Sequence, residues 1–285
     1  MFKTRNQDEA RALAGMLRTG YLEVFPTRTL VEKLDAHAPG SKVAVTCSPV
    51  KGVDETVELT EILVGKGYTV IPHVAARAVR DRAHLEGILS RFDELGIDYL
   101  FVPGGDADKP IGEYSCAYEV LRDVREIGTR IRNIGIGSHP EGHPHAGAGQ
   151  LLFELERKQP LATYMVTQMC FDPDRLRNWL ADIRARGINL PVWLGIPGVS
   201  DRAALLRTSL RIGVGDSLRF LKRKSDVVAR LMRSSTYTPA KLLGSMAPML
   251  ADDSLNIGGF HVYCFNQVEA FENWRREALA SLPQA

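Results

Sequence analysis

The chain has 285 residues, of which 45% are hydrophobic and 25% charged, with a net charge of +2. This is globular composition with enough chain for a large core, and it gives no strong field for nucleic acid or an acidic partner. The charged N-terminus (MFKTRNQDEARALAGMLRTG) lacks an apolar signal core, and no apolar run approaches the roughly 20 residues of a membrane span. The four cysteines, Cys47, Cys116, Cys170 and Cys264, are scattered without a Cys-x-x-Cys pair. Reduced thiols in a cytoplasmic protein are the expectation.

Short apolar runs rich in β-branched residues alternate with longer amphipathic stretches. Tyr21 to Phe25 is the first run, closed by Pro26, and Arg28 to Ala38 reads as a helix stopped by Pro39-Gly40. Lys42 to Cys47 is the second run, followed by helical spacing over Val53 to Gly65. Tyr68 to Val74 is the third, with a helix over Arg77 to Leu95. Asp98 to Pro103 is the fourth, ending in Gly104-Gly105-Asp106, before a helix over Tyr114 to Ile127. Asn133 to Gly137 is the fifth, with a helix over Leu151 to Lys158. Thr163 to Gln168 is the sixth, with a helix over Pro173 to Arg186, and Pro191 to Ile196 is the seventh. From Ser200 to Leu250 the pattern is helical three times, with breaks near Gly213 to Gly215 and Thr236 to Pro239. Gly259 to Phe265 is the eighth run, and Val268 to Leu282 a closing helix. Eight strands, each followed by helix, predict a (β/α)8 barrel forming one domain over 1–285. The other candidate is an open doubly wound sheet, but no glycine-rich dinucleotide fingerprint follows the first strand.

In a parallel barrel the chemistry gathers where strands end. The most conspicuous end is the stretch RNIGIGSHPEGHPHAG. An apolar run turns at once into His139, Pro140, Glu141, Gly142, His143, Pro144 and His145, which places three of the seven histidines within one loop. The prolines stop helix and strand alike. Two readings stand: a metal site built on His139, Glu141 and His143, or a stiff loop whose histidines hydrogen-bond a small molecule or the backbone. No zinc-type partner spacing accompanies the loop.

Glu23 sits inside the apolar run Tyr-Leu-Glu-Val-Phe, facing either the lumen or the helix layer. A carboxylate in either place needs a partner or a task. Burial favours its protonated form, which suits a general acid. The other strand ends carry Thr46, His73, Asp106, Gln168, Tyr263 and Asn266. His73 reads as a core histidine bonded to a carbonyl or as a ligand contact. Asp106 reads as a helix cap or as a group meeting a ligand across a loop with little bulk. Gln168 satisfies a neighbouring backbone group or reads the donor and acceptor edge of a heterocycle. Arg219 to Lys224 (RFLKRK) reads as a solvated helix face.

These motifs, in this order, resemble the methylenetetrahydrofolate reductase family. YLEVFPTRT resembles its opening strand and VAVTC its second. IPHV resembles the Pro-His-Leu of its third, and GGD its Arg-Gly-Asp after the fourth. HPEGHP resembles its Tyr-Pro-Glu-x-His-Pro, the most specific match. TQMCFD resembles its Thr-Gln-Phe-Phe-Phe-Asp, and IPGVS and GFHVYCFN its last two strands. The matches run from Tyr21 to Asn266.

The resemblance implies a flavoprotein of one-carbon metabolism, serving methionine biosynthesis. NADH or NADPH reduces FAD, which reduces 5,10-methylenetetrahydrofolate to 5-methyltetrahydrofolate. It implies Glu23 as proton donor and Asp106 between flavin and pterin, where its charge stabilises a cation. It assigns Gln168 and Phe171 to folate, and Thr46, His73, Gly105, Asp106, His139, His143, Arg157 and Lys158 to the flavin. It also implies a folate partner, no nucleic acid or membrane, and a possible homo-oligomer. Departures are visible. Gly104 replaces the family's Arg, and His139 its Tyr. The Asp and Asn that bind flavin ribose are not evident, and RIGVGDSLRF lacks the Gln-Met-Phe-Asp stretch. The alternatives are a flavin-independent folate oxidoreductase, a folate-binding barrel of the same ancestry, and a metal-dependent barrel hydrolase.

Overall fold

A computed structural model describes residues 2–27, 29–38, 40–144, 146–211 and 236–283. It opens with a helix that the charge-based reading of the N-terminus passed over. Helix α1 (Gln7–Thr19) buries Ala10, Leu13, Ala14 and Leu17, the i, i+3, i+4, i+7 stripe of an amphipathic helix. Asn6 caps it by accepting from the Glu9 amide at 2.9 Å, and Glu9 Oε2 accepts from the Arg5 amide at 2.8 Å. Asn6→Ala orphans that amide. The expected cost is about 1 kcal/mol, seen as a fall of about 2–4 °C in the melting temperature.

Eight parallel strands follow: β1 (Tyr21–Val24), β2 (Lys42–Val45), β3 (Thr69–Pro72), β4 (Tyr99–Val102), β5 (Asn133–Ser138), β6 (Tyr164–Thr167), β7 (Val192–Pro197) and β8 (Ile257–Tyr263). They form one sheet in the order β3-β2-β1-β8-β7-β6-β5-β4. Its two edges meet through a parallel bridge between His73 and Phe101, and the Val74 amide donates to Phe101 O at 2.9 Å. The sheet is thereby a nearly closed barrel, and the (β/α)8 expectation holds. The helices in chain order are α2 (Leu30–Lys33), α3 (Gly52–Gly65), α4 (Arg82–Glu94), α5 (Ala117–Ile127), α6 (Ala148–Lys158), α7 (Pro173–Ala185), α8 (Arg202–Arg211), α9 (Ala240–Leu250) and α10 (Val268–Ala280).

Two elements depart from expectation. The helix read from Arg77 starts at Arg82, because Asp81 caps it, accepting from the His84 amide at 2.7 Å; residues 76–78 form a separate 3₁₀ turn. The break at Thr236 holds a two-residue strand, Thr236–Tyr237, antiparallel to Ser200–Asp201. Of the three helical segments expected over 200–250, α8 and α9 are described. Residues 212–235, with the Gly213 break and the Arg219 to Lys224 face, lie outside the described residues.

Large side chains occupy the lumen, as in barrels of this type. Tyr21, Ala44, Ile71, Phe101, Tyr164 and Val166 pack there, with Tyr99 and Trp193 against them. Two glycines make room for aromatic rings. A Cβ on Gly135 would lie 2.3 Å from Tyr164 Cζ, and one on Gly195 would lie 2.2 Å from Thr167 O and 2.8 Å from Tyr263 Cε2.

Candidate active site

Glu23 points into the lumen near the C-terminal end of β1. Its Oε2 lies 2.9 Å from His261 Nε2, and both residues are buried. Its backbone is also held: Cys264 Sγ donates to Glu23 O at 3.1 Å. Just beyond, Asn266 clasps the chain, accepting from the Phe25 amide at 2.8 Å and donating to Phe25 O at 3.1 Å. This clasp holds Phe265 and Asn266 at φ of 51° and 58°, a left-handed pair that a phenylalanine rarely adopts. It also stacks Phe265 on Phe25 at 6.5 Å, beside the acid.

His73 and Thr46 directly follow β3 and β2. His73 Nε2 and Thr46 Oγ1 are buried with no hydrogen-bond partner among the described residues. The carbonyl-bonded core histidine is therefore not found at His73 Nε2. Burial pushes this imidazole down to about 4, against the attraction of Glu23, so it is neutral near pH 7. Tyr263 donates to Thr167 O at 3.2 Å. Its hydroxyl is held protonated by burial, then by the negative charges of Glu23 and Asp106.

Asp106 is exposed on the loop after β4. It caps no helix, since α4 and α5 begin at Arg82 and Ala117. The loop is fixed by Arg77, whose amide donates to Gly104 O at 3.1 Å and whose Nη1 donates to Ala107 O at 2.8 Å. Gly105 takes φ +96°, and a Cβ there would lie 3.3 Å from that of Ala75. A side chain at this turn is strained and crowded at once.

A group of basic side chains lies by the loop after β5. The rings of His139 and His143 meet edge to face at 5.0 Å. Burial, then His143 and Lys158, push His139 down to about 4. Burial likewise lowers the Lys158 ammonium from its usual range. Arg157 lies over the Tyr118 ring at 3.8 Å and 3.4 Å from Glu154. Its Nε is buried without a partner among the described residues. Among the described residues no three His, Cys, Asp or Glu side chains are placed to hold a metal ion.

Gln168 stands at the end of β6 with its carbonyl oxygen accepting from the Met169 amide at 2.8 Å, so its NH2 is the group it can offer a ligand. Phe171 is 2% exposed and packs edge-on against Tyr237. His261 was missed as a site residue, although inward parity with Tyr263 in GFHVYCF was a usable signal.

These features define an enzyme-like (β/α)8 barrel with a buried acid and orphaned polar atoms at the C-terminal strand ends. The sequence profile of the family described as "Methylenetetrahydrofolate reductase" matches residues 26–273. The chain belongs to the methylenetetrahydrofolate reductase family. Similar relatives include "Methylenetetrahydrofolate reductase 2" of Saccharomyces cerevisiae, 35% identical over 34% of this chain and 17% of the relative. "Methylenetetrahydrofolate reductase 1" of Schizosaccharomyces pombe is 28% identical over 46% of this chain and 23% of the relative. "Probable methylenetetrahydrofolate reductase (NADPH)" of Caenorhabditis elegans is 23% identical over 87% of this chain and 35% of the relative. The alignments thus span about a third or less of each relative's own length.

Proposed function

We propose that this barrel reduces 5,10-methylenetetrahydrofolate to 5-methyltetrahydrofolate, with electrons from NADH or NADPH and FAD as cofactor. The observation that carries the reading is the carboxyl of Glu23, buried at the C-terminal end of the barrel and held by His261. Family membership supports the same reading.

The residues present fit a flavin. Thr46 Oγ1 and His73 Nε2 are buried polar atoms in need of a partner. A polar-edged ring system answers that need, and the cations Arg157 and Lys158 suit an anionic tail. Thr46, His73, Gly105 and His143 would hold the ring system, with His139, Arg157 and Lys158 around the remainder. Bound FAD supplies two-electron chemistry, accepting from the nicotinamide and donating to folate. The chain's own residues do the rest. Glu23 protonates the bridging nitrogen of the folate ring, opening it to an iminium cation. Asp106, an exposed carboxylate on a fixed loop, offsets that positive charge. Gln168 presents its NH2 to the pterin.

The test is an absorbance spectrum of the protein after addition of FAD and desalting, followed by turnover with methylenetetrahydrofolate. The expected result is a yellow protein, bleached by NADH or NADPH and recoloured by the folate. Gly104, in place of the family's Arg, gives a second reading its specific ground. A colourless protein that still reduces folate moves the chemistry to direct hydride transfer from the nicotinamide. A protein with neither flavin nor folate turnover overturns the proposal.

A further inference from the structure

In the parallel pairing of β1 with β8, Tyr21 stands opposite His261 and Glu23 opposite Tyr263. His261 therefore reaches Glu23 from one step deeper in the barrel. Its ring is 1% exposed and walled by Tyr263, Tyr21, His73 and Phe101, at centroid distances of 4.8, 5.1, 6.2 and 6.5 Å. A ring so enclosed touches the acid and is shielded from any substrate. Its second nitrogen, Nδ1, is buried without a hydrogen-bond partner among the described residues.

These positions decide where the hydrogens sit. A neutral imidazole carries one N–H. On Nδ1 that hydrogen would be a buried donor with nothing to accept it, which is costly. On Nε2 it is donated to Glu23 Oε2. An oxygen that accepts this bond acts as the carbonyl oxygen whenever the acid is protonated, so the acidic proton stands on Oε1.

Resting on the folate reading of Glu23, we infer that His261 is a positioning residue whose Nε2–H reserves Oε2 and leaves Oε1 to carry the proton delivered to the substrate nitrogen. In that transfer one O–H bond breaks and one N–H bond forms on the substrate. Glu23 is left as a carboxylate, still held by the same donor. His261 itself gains and loses nothing.

The first readout needs no substrate. In protein carrying isotope-labelled histidine, nuclear magnetic resonance near neutral pH is expected to find His261 as the Nε2–H tautomer. A hydrogen on Nδ1, in either the neutral ring or an imidazolium, overturns the inference. The second readout compares His261→Leu with His261→Gln, whose amide nitrogen reaches the place of Nε2 and restores a donor. For His261→Leu, kcat for folate reduction is expected to fall roughly 10- to 100-fold with KM little changed, part of what a placed proton contributes. His261→Gln should recover most of that loss. Equal losses in both variants would mean that His261 only fills space, and would overturn the inference. Should the wild type reduce no folate at all, the functional reading fails, while the tautomer still decides the placement of the hydrogen.

Discussion

Glu23→Gln is expected to abolish folate reduction while leaving reduction of flavin by nicotinamide nearly unchanged. The substitution keeps the shape of the side chain and an oxygen for His261 Nε2, now 2.9 Å from Glu23 Oε2, to donate to. It removes one thing, the transferable proton. A positioned general acid is worth roughly 10²- to 10⁴-fold in rate, and a loss in that range is the expected reading for the folate half-reaction. Separate rapid-mixing traces of the two half-reactions check it. Loss of both would mean that the fold or the cofactor site was damaged. Survival of both would remove Glu23 from the chemistry.

Gly195→Ala is expected to cost the most stability among small changes near the site. The new methyl would fall 2.2 Å from Thr167 O and 2.8 Å from the Tyr263 ring. Thr167 O belongs to a barrel strand and also accepts the Tyr263 hydroxyl at 3.2 Å, so neither neighbour gives way cheaply. Overpacking of this kind costs about 1–3 kcal/mol, with backbone clashes at the upper end. At about 2–4 °C per kcal/mol, the melting temperature should fall by roughly 5 °C or more. Gly15→Ala is the control. It lies within α1, where an added methyl meets nothing within 4 Å, and the change should be neutral or mildly stabilising. Equal behaviour of the two variants in a thermal melt would contradict the packing described.

The fold was legible because each strand was a short β-branched run closed by Pro, Gly or a polar residue, and each helix had its own apolar period. Parity within the first run already limited Glu23 to two directions, and the structure selects the lumen. Helix α1 is as periodic as the others, but its charged residues mask the stripe Ala10, Leu13, Ala14, Leu17. The partner of Glu23 was not legible. His261 lies 238 residues away and meets it only through the register of β1 on β8, which closure of the barrel sets. The contact of Phe171 with Tyr237, two residues far apart in the chain, was not legible either. The carbonyl of Gln168 was already taken by the next amide, a bond that no pattern of residue types announces.

The aromatic filling of the barrel has a consequence for timing. Beneath Glu23 lie His261, Tyr21, Phe101 and Tyr164, all buried. With rings packed directly below it, Glu23 is expected to exchange protons with the solvent through the C-terminal mouth. In the proposed reaction folate occupies that same mouth. The acid must then be reloaded while the mouth is open, between one product leaving and the next substrate arriving. Each visit of a substrate finds a single proton in place, and recharging belongs to the empty interval of the cycle.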